Sequence, residues 1–450
     1  MEHPKEKTGQ LDLYGEMDAL SDAGVKARTI ALDIIDKVLR RKLQLDQALE
    51  RADGLMELES RDRAFTRLLV ATVLRRLNQI DSYIEPLLDR PMVEIKPQAV
   101  LDVLRLGVVQ MVFLETPVYA AVNTSVMLAE QNGMEHQKGF VNAVMRSLSR
   151  KIPEKMDSRD AGRLNTPDWL WYGWVNDYGV DVALQIAEAN MKEAPVDFTV
   201  KEDPEYWGRQ LDGQVMPNGT VRRLSGGMVT DLPGYDKGAW WVQGLVESLP
   251  AKLFGDLSGK TIVDLCAAPG GKTAQLIAAG ANVIAVDRSA PRLKRLEENL
   301  ERLDMEAEIV VADGAVWKPK ELVDGVLLDA PCTATGTIRK QPDVMLLKTP
   351  DDLRKLAATQ KRILENALQM LKPGGVLIYC TCSLQKEEGE LQIEKIIEAG
   401  APVSISMISP DEIGGMSELL DNQGQIRALP FNLSDRGGVD GFFVARLIRK

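Results

Sequence analysis

The residues able to do chemistry in this chain are few, and they recur at one kind of place. The four cysteines, Cys266, Cys332, Cys380 and Cys382, each fall at or just past the end of a short aliphatic run: TIVDLCA, GVLLDAPC and GVLIYCTCS. Asp264, Asp287, Asp313 and Asp329 mark the ends of four successive runs of the same kind. One such aspartate is accounted for as the N-cap of a following helix. Four in succession point to a polar cleft, because a carboxylate is costly to bury unpaired. Thiols lining such a cleft can be metal ligands, inert packing or nucleophiles. A Cys-x-Cys plus two isolated cysteines lacks the paired spacing of zinc sites, so no metal is expected. Inert packing suits Cys266 and Cys380. Cys332 and Cys382 are left as a pair meeting across the cleft, with nucleophilic catalysis as their chemistry.

The stretch Cys266-Ala267-Ala268-Pro269-Gly270-Gly271-Lys272 turns from a strand into a helix. Its glycines let the backbone approach a ligand, and the helix start offers N–H groups. It is neither GxGxxG nor a phosphate loop, whose upstream glycine is missing. Asp287, 23 residues past Asp264, stands where an acid receives ribose hydroxyls. Lys272 is placed for the same ligand, or faces solvent in the first helical turn, where a cation is not favoured. Two histidines, His3 and His136, leave little room for a Ser-His-Asp triad or a multi-histidine metal site.

These residues must be held by alternating strands and helices. TIVDLCA, NVIAVD, EIVVAD, GVLLDA and GVLIYCT are predicted strands, separated by helical PRLKRLEENLERL and DLRKLAATQKRILENALQML. That alternation implies a parallel α/β sheet, with ligands at the strands' carboxyl ends. Residues 241–450 are assigned to this domain. Residues 25–150 read as all-helical, with AVLDVLRLGVVQMVFL as a buried central helix. Residues 151–240 read as a charged connection followed by a small α+β subdomain, and 1–24 as a flexible polar tail. At 450 residues and net charge −11, the chain is long enough for several cores, and it is acidic in each of the stretches 1–150, 151–240 and 241–450. Nucleic-acid binding would therefore need local basic patches. No signal peptide, spanning segment or disulfide framework is evident, and a reducing cytoplasm is expected.

The ordered set DLCAAPGGKT, Asp287, Asp313, DAPC and TCS resembles the S-adenosylmethionine-dependent RNA cytosine-C5 methyltransferases of the Sun group. RDRAFTRLLVATVLRRLNQID, VLRLGVVQMVFLETPVYAAVNTSVMLA and KGFVNAVMRSL are similar to a NusB-type RNA-binding domain. Together they resemble the bacterial RsmB (Sun/Fmu) branch over about residues 25–450. The resemblance implies a Rossmann-like class I methyltransferase domain and S-adenosylmethionine as cofactor. It implies 16S rRNA as partner, free or in an assembling small subunit, methylated at the cytosine the family numbers 967.

Cytosine C5 is a poor nucleophile, and a thiolate added at C6 makes it enamine-like. By the resemblance, Cys382 is that thiolate, Cys332 assists proton removal or release, and Asp329 holds the cytosine N3/N4 edge. Cys332 as nucleophile stays open by analogy with DNA cytosine methyltransferases. Residues Cys266 to Lys272, Asp287, Asp313 and Asp329 are implied to bind the cofactor, Asp313 through the adenine amino group. Arg339 and Lys340, just past the DAPC loop, and Arg61, Arg67 and Arg75 are candidate RNA contacts. The chain departs from the family at Gly244, where Asp is common, at Gln341 within the Arg339–Asp343 stretch, where His or Asn is common, and at Ala194–Val200, which lacks the family's Arg and Asn. Those departures touch RNA specificity and leave the cysteines and acids intact. A non-catalytic assembly factor and a tRNA methyltransferase are the competing functions.

Overall fold

The computed structural model describes residues 22–151, 158–224 and 228–450. Of the polar tail, residues 1–21 lie outside the described residues, as do 152–157 of the charged connection. The chain forms two compact units.

The first unit runs to Asn165 and takes back Gln341–Leu347 from far along the chain. Its helices include Asp22–Leu39, Ser60–Arg75, Leu77–Ile84, Ala99–Val108, Val118–Gln131 and Lys138–Lys151. The predicted central helix is there. Val100, Leu101, Val103, Leu104 and Leu106 are all buried, each contributing about 1.5–3 kcal/mol relative to exposure. A π-helical segment, Val109–Phe113, ends it. Its one carboxylate, Asp102, is fully buried between Arg40 and Arg105, and Arg105 also pairs with Asp81 at 2.7 Å. The returning segment packs Leu346 and Leu347 against this core.

The second unit covers Thr166–Lys340 and Lys348–Lys450. It opens on helices Asp168–Tyr178 and Val180–Asn190. A small antiparallel sheet follows, from β1 (Val196–Val200), β2 (Gln214–Val215), β3 (Val221–Arg223) and β4 (Trp240–Val242), in the order β2-β3-β1-β4. Phe198 and Trp240 meet edge to face at 4.8 Å in its core. The large sheet holds β5 (Thr261–Leu265), β6 (Asn282–Asp287), β7 (Glu308–Val311), β8 (Val323–Asp329), β9 (Leu371–Thr381), β10 (Val403–Ile405), β11 (Ile426–Ala428) and β12 (Phe442–Arg449). The order is β10-β12-β9-β8-β5-β6-β7, with β11 on β12.

β5 to β9 are the five predicted strands, and they are parallel. Beyond these five, the sheet continues at its C-terminal end with strands the sequence reading did not name. β12 runs antiparallel to β9, β10 and β11. No crossover helix separates β11 from β12, so the chain returns by a loop and the pair is antiparallel. β12 buries Phe442, Phe443, Val444 and Ala445. The ends of β8 and β5 lie side by side, and those of β8 and β9 are registered as Asp329 opposite Cys380. This adjacency brings together residues far apart in sequence.

Candidate active site

The loop after β5 is a tight turn. Cys266 takes φ +62° and Gly270 takes φ +102°. A side chain at Gly270 would also meet Leu296 at 2.9 Å, so glycine is required twice over. The N–H groups of Cys266 and Ala267 both donate to the Val286 carbonyl. The loop is thus pinned to β6 and leads directly into the N–H groups that open the helix Gly271–Ala278. Asp264, buried at the end of β5, accepts from the Thr273 hydroxyl at 2.6 Å. Burial pushes its pKa up to about 7, against the Thr273 hydrogen bond and with Asp329 adding to the rise.

Asp287 ends β6 and is nearly buried. Its Oδ1 accepts from the Ser289 N–H at 2.9 Å. Among the described residues its Oδ2 accepts no hydrogen bond, and the Arg292 guanidinium lies 3.2 Å away as its ion-pair partner. Asp313, past β7, is exposed and caps its own turn through Ala315 N–H. The residues present fit S-adenosylmethionine. A buried carboxylate oxygen awaits donors at the second strand end, beside a glycine-bounded turn and a helix start.

Asp329, at the end of β8, accepts from Lys272 Nζ at 2.8 Å and faces Cys380 Sγ at 3.6 Å. Lys272 does not face solvent: its ammonium lies over the Phe442 ring at 5.4 Å. Burial alone would lower its pKa, but Asp329, with Cys380 and Glu247, holds it well above the usual lysine range.

The two candidate reactive thiols lie together, with Cys332 Sγ 3.4 Å from Cys382 Sγ. The hydrogen bond to Cys382, then burial, raises the Cys332 pKa well above that of a free thiol. Burial raises Cys380 and Cys266 as well, as suits their reading as packing residues.

Several residues that frame this pair are not evident from the sequence. Glu388 accepts from the backbone and hydroxyl of Thr333. Arg427 donates to the Ser383 carbonyl at 2.6 Å while paired with Glu390. Tyr178 and Trp174, on the helix Asp168–Tyr178, donate to the Leu384 carbonyl and to Gln385. Gly336 and Gly441 pass so closely that a side chain at Gly336 would lie 1.9 Å from the Gly441 carbonyl oxygen. Only a motif reading of the turns after TCS and DAPC would have drawn attention to them.

The basic candidates divide. Arg61 and Arg67 are exposed on the helix Ser60–Arg75. Arg75, on the same helix, is buried, and Arg40 is held by Asp36 and Asp102. Arg339 is also buried, donating to the carbonyls of Gly437, Glu193 and Val439. Its position after the DAPC loop suggested an RNA contact, but the protein's own backbone occupies its guanidinium. Lys340, about one third exposed, is held by Asp440 at 2.5 Å and Glu247 at 3.3 Å. In that cluster burial raises Asp440 to about 7, and Lys340 overcomes burial to hold Glu247 down. The Glu247 carboxylate fills the space a side chain at Gly244 would take.

Among the described residues no three His, Cys, Asp or Glu side chains gather as a metal site. No described helix is long and apolar enough to cross a membrane.

Residues 254–448 match the family model described as 16S rRNA methyltransferase RsmB/F, and residues 25–150 match the NusB family. Ribosomal RNA small subunit methyltransferase B from Erwinia tasmaniensis is 33% identical over 440 residues, 94% of this chain and 98% of that protein. The protein of the same name from Xylella fastidiosa strain 9a5c is 34% identical over 442 residues, covering 95% of this chain and 100% of its own. Among solved structures, that of PH0851 superimposes with a TM-score of 0.76 at 21% identity, over 94% of this chain and 98% of that one. NSun6 from Pyrococcus horikoshii, solved with the S-adenosylmethionine analogue SFG, gives 0.53 at 20% identity over 63% of this chain and 98% of its own. The structural likenesses speak for the fold, and the sequence identities, sustained over nearly the full length, for the lineage. This chain belongs to the RsmB/F family of 16S rRNA methyltransferases.

Proposed function

We propose that the chain methylates C5 of a cytosine in 16S rRNA, using S-adenosylmethionine, through a covalent bond from Cys382 to C6 of the base. The observation that carries this reading is the 3.4 Å approach of Cys332 and Cys382 beside the Lys272–Asp329 pair. Two thiols at one cleft suit a reaction that must both make and break a carbon–sulfur bond.

In this reading Cys382 Sγ, as thiolate, adds to C6, and C5 becomes nucleophilic. Asp329, oriented by Lys272, holds the N3/N4 edge and stabilises the protonated ring. When bound, S-adenosylmethionine supplies an electrophilic methyl on a sulfonium sulfur, which C5 accepts. Cys332 then assists removal of the C5 proton, and the Cys382–C6 bond breaks to return the thiolate. Asp287 would hold the ribose hydroxyls, Asp313 the adenine amino group, and residues 266–272 the methionine side, the donors coming from Gly271 and Lys272 at the helix start. The base must be unpaired or flipped to reach the thiols. Arg61 and Arg67 would meet phosphates.

The test is methyl transfer from radiolabelled S-adenosylmethionine to protein-free 16S rRNA, with 23S rRNA and tRNA alongside. We expect label in C5 of one 16S cytosine, lost in Cys382→Ala. Cys332→Ala should accumulate a protein–RNA adduct. Label on tRNA instead, or full activity in Cys382→Ala, would overturn the reading.

A further inference from the structure

We propose that Glu388 is the positioning residue that sets Cys332 against Cys382. The proposal rests on the two-thiol reading above. Glu388 lies six residues past Cys382 in the short turn Lys386–Glu388, and its side chain is fully buried. No lysine or arginine ion-pairs with it among the described residues. Hydrogen bonds hold it instead. The Thr333 N–H donates to Oε1 at 3.0 Å and to Oε2 at 3.2 Å, and the Thr333 hydroxyl to Oε2 at 2.5 Å. The Gln360 amide donates to Oε1 at 2.9 Å.

Each of these bonds acts on the residues flanking Cys332. Thr333 follows the cysteine. Gln360, on the helix Pro350–Met370, donates from the same amide nitrogen to the Pro331 carbonyl at 2.9 Å, on the other side of it. Cys332 is therefore gripped before and behind, and both grips meet on one carboxylate. The main chain of Glu388 faces the other thiol. Its carbonyl accepts from Tyr379 at 2.8 Å and from Thr381 at 3.3 Å, on the strand that runs into Cys382. Ser383 closes the gap between the two turns, with its hydroxyl 3.3 Å from that of Thr333.

The division of labour within one residue makes the idea testable. Glu388→Gln keeps the backbone contacts to β9 and the side-chain volume. It replaces one acceptor oxygen by an NH2, which faces donors from Thr333 or Gln360 and can satisfy neither. The Cys332 loop should loosen while Cys382 stays in place. A substitution that acts only by weakening the fold would affect both thiols alike. Glu388 does not touch the reacting atoms; it acts through Cys332.

The experiment compares wild-type full-length chain with Glu388→Gln and with Thr333→Val, a milder variant that keeps the Thr333 N–H bonds to Glu388 and removes the hydroxyl with its contacts to Glu388 and Ser383. The first readout is positional. Diamide oxidises the Cys332 and Cys382 thiols to a disulfide, taking two protons and two electrons to become its hydrazine, and peptide mass mapping follows the rate. The second is the lifetime of the protein–RNA adduct. We expect both variants to slow cross-linking about fivefold or more and to prolong the adduct about tenfold. Adduct formation should stay within about twofold, and Glu388→Gln should add nothing to Cys332→Ala. Cross-linking at the wild-type rate, or adduct formation impaired as much as release, would overturn the proposal. Absence of any RNA adduct in wild type and in Cys332→Ala would instead sink the covalent reading, and cross-linking would still decide the role of Glu388.

Discussion

Asp264 shows how one residue can tie a site to the stability of the fold. It is fully buried at the end of β5, its Oδ1 accepts no hydrogen bond among the described residues, and burial moves its pKa from 3.8 to about 7. The folded chain thus keeps a proton that the unfolded chain releases near pH 4. Between about pH 4 and 7 the native state binds more protons, so this group makes stability fall as pH rises. The limit for one proton is about 1.4 kcal/mol per pH unit. Asp264→Asn, which cannot ionise, should flatten the stability profile between pH 5 and 7, read as urea midpoints across that range. An unchanged slope would assign the proton elsewhere, with Asp440 the next candidate, since it too sits near 7. At this scale the sequence was informative about what stands at the strand ends and silent about partners. A carboxylate at a strand end is visible from spacing alone. That Lys272 pairs with Asp329, or that Arg339 is taken up by three carbonyls, depends on contacts between residues dozens to over a hundred positions apart.

At the scale of elements, the candidate site is built from turns, and the turns depend on small residues. The strand-to-helix turn at Gly270 combines a left-handed backbone with a neighbour, Leu296, where a Cβ would go. Gly270→Ala should cost about 1–2 kcal/mol for the backbone alone. It should also weaken binding of S-adenosylhomocysteine in calorimetry, because relieving the clash with Leu296 shifts the helix start that we propose holds the cofactor. Unaltered affinity would mean the turn serves only the fold. This element was readable in advance, since glycines after a β-branched run have few other uses. The same holds for the five parallel strands, whose short apolar runs alternate with helical ones. The C-terminal strands were not readable. β10 and β11 are three residues each, too short to carry a period, and their direction is set by the loop that returns β12 onto β9. Glu388 was hidden for a similar reason. It stands in a charged run, LQKEEGE, that reads as solvated surface, and only the closing of the turn onto Thr333 and Gln360 buries it.

At the scale of the whole molecule, the two compact units do not follow a single cut in the chain. Gln341–Leu347 belongs with the helical unit although its neighbours on both sides belong to the other. Asp343 is the polar anchor of that segment. It is buried, and its Oδ2 accepts from the Leu45 N–H at 3.0 Å, at the start of the helix Leu45–Glu50. A carboxylate there also meets the positive end of the helix. Asp343→Ala leaves a buried N–H without its acceptor and should cost the helical unit about 1–2 kcal/mol. The seven tryptophans offer a way to see which unit is affected, because all lie between Trp169 and Trp317, within the second unit. Circular dichroism at helical wavelengths reports on both units, and tryptophan fluorescence on the second alone. In urea, Asp343→Ala should move the circular dichroism transition to lower denaturant and leave the fluorescence transition near its wild-type midpoint. If the two transitions move together, the units unfold as one cooperative block, and the returning segment is then a contributor to the stability of the catalytic unit as much as of the helical one.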